Sequence, residues 1–289
     1  MLVLLNGQDT ITKDSVCGIG SFDGVHRGHQ AIVKRLTHLA SGGKKVGIIT
    51  FTPLPFFTLK KAPICCLTPK EDKEKIFEQL GVDFMYYFKF TKEFARLEPR
   101  QFVECIVDRI APSIVVVGEN FHFGKNRKGT AQILRDLAHD FFMVEIMPRV
   151  SDEGTISSTR IRELLLLGHI KAANDLLGRE YSIAGEVIKG KGRGQRLGFP
   201  TINIAPPEHK LLPLDGVYKV TVELGKKEYL GAMFCRNDLL EVHVLRFDGD
   251  LYKRIVTVKF LERLRGIEHF KDDASLKAAI AGDIDKITK

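Results

Sequence analysis

Two histidines stand three residues apart in the run Phe22-Asp-Gly-Val-His26-Arg-Gly-His29, just after the apolar residues 16–20. Residues three apart on a helix share a face, so one helical turn would aim both imidazoles at one small volume. The first N–H groups of a helix lack partners inside it and lie at its positive dipole end. Gly24 and Gly28 allow close approach to that backbone. Together these groups suit a phosphate chain. The chemistry they fit is stabilisation of charge that develops on a phosphate in transfer. A plain helix cap with two surface histidines is the alternative for this segment alone.

Two further segments carry anion-binding chemistry. Ser157-Ser158-Thr159-Arg160-Ile161-Arg162 opens a helical pattern with three hydroxyls and two guanidiniums, against the alternative of an ordinary serine cap. The run Gly190-Lys191-Gly192-Arg193-Gly194-Gln195-Arg196-Leu197-Gly198 is basic and glycine-rich, yet lacks the Gly-Lys-[Ser/Thr] of a Walker A loop. A flexible hairpin turn is its alternative. Phe199-Pro200-Thr201-Ile202-Asn203-Ile204 follows at once. On a strand Thr201 and Asn203 share one face and the isoleucines the other. A hydroxyl and an amide oxygen suit Mg²⁺ bridging nucleotide phosphates; an edge strand of alternating polarity is the alternative.

The elements that must position these groups fall into two patterns. Residues 16–20, 46–51, 84–88, 114–117 and 142–147 read as apolar strands. Helical patterns fall between them, at 28–40, 68–80, 99–110 and 129–139, with Pro69 expected at the first position of the second helix. That alternation implies a parallel sheet covered on both faces, with ligands at the carboxyl ends of the strands. The turns at 20–29 and 118–124 lie at that edge. Two short helices follow at about 158–167 and 170–177. Beyond residue 180 the strand patterns 183–188, 217–224, 229–234, 240–247 and 255–260 run without helices, then a helix at about 274–281. An antiparallel sheet or small barrel is expected. The expected fold is therefore α/β, with a Rossmann-like domain over 1–180 and a small β-barrel domain over 181–289.

The chain has 289 residues, 44% hydrophobic and 28% charged, which fits a folded two-domain protein. A net charge of +8 favours anionic partners, and the basic residues cluster beside glycines rather than in one arm. Cys17, Cys65, Cys66, Cys105 and Cys235 form no Cys-x-x-Cys pair, so a reduced, cytoplasmic setting is expected. Residues 1–5 are too short for a leader, and no run has membrane-spanning length. No membrane partner is expected. The oligomeric state is not readable.

In this order, the first two motifs resemble the nucleotidyltransferase superfamily with a His-x-Gly-His signature. The version Phe22-Asp-Gly-Val-His26-Arg-Gly-His29-Gln30 is close to that of bacterial FAD synthetases. Gly118-Glu-Asn120-Phe-His-Phe-Gly124 and Ile156-Ser-Ser158-Thr159-Arg-Ile-Arg162 resemble that family's other signatures. The resemblance implies that His26 and His29 contact ATP phosphates, with Gly20, Phe22, Gly24, Gly28 and Asn120 lining the nucleotide site. Ser158, Thr159 and Arg162 would hold the phosphate tail. Leu54 stands where the family usually has histidine.

The later motifs resemble the riboflavin kinase module that follows FAD synthetase domains in bacteria. That implies ATP contacts at Gly190, Lys191, Gly192 and Gly194, Mg²⁺ held by Thr201 and Asn203, and Glu241 as the base for the ribityl hydroxyl. Here too the chain departs from the family: the loop before Glu241 is short, and Lys253 replaces a glycine. The joint expectation is an enzyme that phosphorylates riboflavin to FMN and adenylylates FMN to FAD, releasing pyrophosphate. Two alternatives stand beside it: an FMN adenylyltransferase with a degenerate kinase module, and a basic nucleic-acid-binding protein on a borrowed fold.

Overall fold

The computed structural model describes residues 1–5, 14–59, 65–149, 156–190, 192–237 and 239–289. By their contacts these form two compact units, Met1–Ser157 and Ser158–Lys289.

The first unit runs β1 (Leu2–Leu5), β2 (Ser15–Ile19), α1 (Arg27–Leu39), β3 (Lys45–Thr52), α2 (Pro55–Leu59), α3 (Lys70–Gln79), β4 (Phe84–Lys89) and α4 (Pro99–Arg109). Then come β5 (Ile114–Gly118), a small pair β6 (His122–Phe123) and β7 (Gly129–Thr130), α5 (Ala131–Ala138) and β8 (Met143–Met147). The main sheet has the order β1-β4-β3-β2-β5-β8, and every pairing is parallel. Alternation along the strands divides the core between its two faces. Val16 and Ile48 pack with Leu36 of α1 and Phe77 of α3, whereas Cys17, Ile19 and Ile49 pack with Phe102 of α4 and Leu134 of α5. At β2 the strand order reverses, with β3 on one side and β5 on the other. Such a switch point is where open parallel sheets bind ligands. Gly18 of β2 lets α1 come close, since a Cβ there would stand 3.2 Å from Ile32 and Leu36.

Several boundaries differ from expectation. Residues 2–5 form an edge strand, β1, paired with β4 from Leu2↔Phe84 to Leu5↔Tyr87. Pro69 occupies the N-cap of α3 rather than its first turn. The Thr68 N–H donates to Asp23 at 3.1 Å, which fixes the chain before the helix begins. The α5 helix starts at Ala131, because Thr130 caps it by accepting from the Ile133 N–H at 3.2 Å.

The second unit opens with α6 (Ser158–Leu166) and α7 (Ile170–Leu177). It continues with β9 (Tyr181–Ile188), α8 (Arg193–Arg196), β10 (Ile202–Ala205), β11 (Gly216–Leu224), β12 (Lys227–Arg236), β13 (Leu239–Val244), β14 (Ile255–Arg265) and α9 (Asp273–Thr288). The strands close an antiparallel barrel in the order β10-β13-β12-β11-β14-β9. Asn174 ties α7 to it, donating to the Phe260 carbonyl at 2.8 Å and accepting from the Tyr181 N–H at 2.7 Å. The contacts thus group both short helices with the barrel. Arg265 and Asp283 form a bidentate pair, 2.8 Å at its shortest, that fastens α9 to β14.

Candidate active sites

The turn after β2 is held in a conformation that ordinary residues avoid. Phe22 has φ +49° and Val25 φ +39°, with Gly24 at +89° between them. Left-handed backbone costs a residue with a Cβ roughly 1–2 kcal/mol, so the surroundings must impose it. They do so from several sides. The Phe22 ring is buried edge-on against Phe77 at 5.4 Å and His29 at 5.1 Å. The Ser21 carbonyl accepts from the Lys73 ammonium at 2.8 Å and the Thr50 hydroxyl at 3.4 Å. The Asp23 carboxylate accepts from the N–H groups of Leu67 and Thr68. The Gln30 amide donates to the Val25 carbonyl at 2.9 Å.

This frame delivers both histidines to one place. His26 is the N-cap of α1, and its ring stacks on His29 with centroids 3.7 Å apart and planes 16° from parallel. Gly28 lies under the pair, where a Cβ would stand 3.3 Å from the His26 ring. Gly20 leaves similar room beside the Phe22 ring. Asn120 follows β5, the neighbour of β2, in a turn closed by the Phe121 N–H donating to the Gly118 carbonyl at 2.9 Å. It is exposed at the same sheet edge as the histidine turn. Leu54 is buried and offers no polar group. Ser158, Thr159 and Arg162 open α6 in the second unit; Thr159 is exposed, while Ser158 and Arg162 are half-buried.

Lys73 and Asp23 brace this turn, and the sequence reading missed them. Lys73 is fully buried on α3, and burial pulls its ammonium down to about 8 while the Asp23 carboxylate opposes that fall. A signal existed: Lys73 lies four residues before the buried Phe77, on the apolar face of the helix.

The second cluster lies on the outer face of the barrel. The side chains of Leu240, Val242 and Val244 are buried, which turns Glu241 and His243 outward. Asn203 pairs directly with Glu241 across β10 and β13, so their side chains share that outer face. Asn203 is nevertheless buried, because the glycine loop folds onto it. A Cβ on Gly190 would stand 1.9 Å from Asn203 Nδ2, and one on Gly194 would stand 3.0 Å from Thr201 Oγ1. The loop therefore follows these polar groups at backbone distance. Gly192 takes a left-handed φ of +66°. Lys191 lies outside the described residues. His243 Nδ1 bonds the Pro200 carbonyl at 2.7 Å and Phe199 packs edge-on against its ring, a brace the sequence reading did not identify. In the short stretch before Glu241, β12 and β13 stay paired as far as Arg236↔Leu239. Lys253 has a φ of +62°, and its N–H donates to the Val187 carbonyl at 2.9 Å. A glycine suits that conformation, in line with the glycine that the resemblance implies at this position.

Among the described residues no cluster of His, Cys, Asp and Glu forms a metal site, and no helix is long and apolar enough to cross a membrane. Comparison with known proteins agrees with both halves. Residues 8–160 match the FAD synthetase family and residues 177–289 the riboflavin kinase family. The bifunctional riboflavin kinase/FMN adenylyltransferase of Listeria monocytogenes is 33% identical, over 93% of this chain and 90% of its own. The protein of that description from Pseudomonas fluorescens is 36% identical, over 94% and 91%. A crystal structure described as a macrolide-efflux protein from Streptococcus pneumoniae is 29% identical and superposes with a TM-score of 0.91, over 100% of this chain and 99% of that one.

Proposed function

The chain belongs to the family of bifunctional riboflavin kinase/FMN adenylyltransferases, and from that premise we propose which of its residues carry each reaction. The enzyme phosphorylates riboflavin to FMN and joins FMN to AMP from ATP, giving FAD and pyrophosphate. Matches to both family models over 8–160 and 177–289 favour this over a single activity or a nucleic-acid role.

Residues 1–180 carry adenylyl transfer. The stacked pair His26 and His29 at the start of α1 is the observation that supports this most. The FMN phosphate oxygen attacks the α-phosphorus of ATP, and the bond to the pyrophosphate oxygen breaks. No protein nucleophile is needed. The imidazoles and the start of α1 stabilise charge growing on the α-phosphate and the leaving pyrophosphate. Gly20, Phe22, Gly24 and Gly28 shape the turn, Asn120 helps form the nucleotide site, and Ser158, Thr159 and Arg162 hold the phosphate tail.

Residues 181–289 carry the kinase. Glu241 takes the proton of the ribityl hydroxyl as its oxygen attacks the γ-phosphorus, and ADP leaves. The loop of Gly190, Lys191, Gly192 and Gly194 holds the triphosphate. The hydroxyl of Thr201 and the amide oxygen of Asn203 fit a hard cation such as Mg²⁺, which binds few protein oxygens and completes its shell with phosphates and water. The close seating of Gly190 on Asn203 supports this fit, since it brings a phosphate-binding backbone beside an oxygen donor. Mg²⁺ held there would neutralise phosphate charge.

Chromatography of flavins after incubation with riboflavin, ATP and Mg²⁺ tests the assignment. His29→Ala is expected to lower FAD formation about 10²–10³-fold, the scale for one transition-state donor, while FMN still accumulates. Glu241→Gln is expected to stop FMN formation and leave conversion of supplied FMN to FAD intact. The opposite pattern would sink the assignment.

A further inference from the structure

The buried ammonium of Lys73 has no part in the two reactions as assigned, yet it sits directly behind the histidine turn. Its Nζ donates at 2.8 Å to the carbonyl of Ser21, and the Thr50 hydroxyl shares that acceptor. The carbonyl belongs to the peptide between Ser21 and Phe22, whose rotation leads into the φ of +49° at Phe22. A trans peptide is planar, with its N–H opposite its C=O. Drawing the carbonyl toward α3 therefore turns the Phe22 N–H the other way and fixes the start of the left-handed turn. Phe22 in turn packs against His29.

Burying an ammonium is costly, so its presence calls for a partner. The titratable groups around it are Asp23 in the turn, Glu74 on α3 itself and the Cys66 thiol before α3. Asp23 also grips the N–H groups of Leu67 and Thr68. Lys73 and Asp23 thus clamp the turn to the start of α3 from both ends.

We infer that Lys73 is a positioning residue for adenylyl transfer: by holding the Ser21 carbonyl from behind, it sets the histidine turn in its phosphate-binding shape. This rests on the reading of His26 and His29 as the adenylyl-transfer site. The ammonium also gives the clamp a pH limit. Burial lowers its titration to about 8, against 10.5 for a free lysine. As pH rises through about 8 the charge-assisted bond weakens. The sign for stability is opposite. Between the folded and unfolded values the unfolded chain binds more protons, so this group adds stability as pH rises. A fall in adenylyl transfer there is therefore not what this group's own effect on stability would produce.

The test compares wild type, Lys73→Met, Lys73→Arg and His29→Ala, with riboflavin phosphorylation in the same samples as the internal control. Lys73→Met is expected to lower kcat for FMN adenylylation about 10- to 100-fold, the scale for sub-ångström to ångström misplacement, with phosphorylation unchanged. Wild type is expected to lose adenylylation relative to phosphorylation as pH passes about 8. Lys73→Arg, which keeps its charge, is expected to restore much of kcat and move that limb upward. If His29→Ala abolishes FAD formation but Lys73→Met leaves kcat and the pH profile unaltered, the positioning role is wrong and the site stands. If His29→Ala has no effect, the site assignment itself falls. Should Lys73→Met prove insoluble, Lys73→Gln, which keeps an N–H donor without the charge, takes its place, and an unchanged kcat for FMN adenylylation overturns the inference.

Discussion

Gly190 carries more of the proposed kinase site than its lack of a side chain suggests. Any other residue would place a Cβ 1.9 Å from Asn203 Nδ2, a distance no real contact allows. The amide would have to leave, and with it the oxygen assigned to the metal. Gly190→Ala is therefore expected to lower riboflavin phosphorylation up to about 10²-fold, while FMN adenylylation stays near normal. Separate assays with riboflavin and with FMN check this, and unchanged phosphorylation would show that Asn203 is not needed where it stands. The glycine and the asparagine were both legible as motif residues, but their contact was not. It depends on the loop folding back over a strand face thirteen positions later in the chain, and spacing alone does not encode that return. Lys73 was missed for a different reason. It is one of three lysines in α3, and its spacing of four from Phe77 is the one sequence signal that sets it apart from Lys70 and Lys75.

At the scale of elements, the sequence was most informative where one period ran unbroken. The strands and helices of the first unit were legible because uniformly apolar runs alternate with amphipathic ones. Edges were harder. β1 is short and was legible only as an apolar end, since its place depends on pairing with β4, some eighty residues on. β14 was expected to stop at residue 260, short of the Leu-Glu-Arg-Leu-Arg stretch at 261–265. It runs to Arg265 because its arginines have partners: Arg263 donates to the Asp215 carbonyl at 2.8 Å, and Arg265 pairs with Asp283. The latter pair also fixes α9, and only 17% of the Arg265 side chain and 5% of that of Asp283 are exposed. Removing one partner from a buried pair leaves a desolvated charge at a cost of about 3–5 kcal/mol. Arg265 keeps the Gly266 carbonyl and Glu268 nearby, so Asp283→Ala belongs at the lower end. Thermal unfolding followed by circular dichroism, with residual phosphorylation assayed after heating, is expected to show the barrel failing first. An unshifted transition would mean that α9 contributes little to the barrel.

At the scale of the molecule, the two proposed sites occupy separate stretches of one chain, and the product of one is the substrate of the other. If each site works independently, FMN made on one chain can be used by another. On the proposed assignment a chain carrying Glu241→Gln is expected to keep adenylyl transfer but make no FMN, whereas one carrying His29→Ala is expected to make FMN and convert little of it. Neither alone is expected to convert riboflavin to FAD. Their equimolar mixture is expected to do so after a lag, because FMN must first build up in solution. The lag should shorten as the His29→Ala chain is raised in excess, since that chain sets the rate of FMN supply. Added apo-flavoprotein that captures free FMN should suppress FAD in the mixture far more than in wild type only if wild type passes FMN on without release. Equal suppression in both would place the intermediate in bulk solution, with the covalent link between the units serving co-production rather than transfer. A mixture that makes no FAD at all would contradict independent sites, and the pairing of the two activities on one chain would then be a requirement of the chemistry itself.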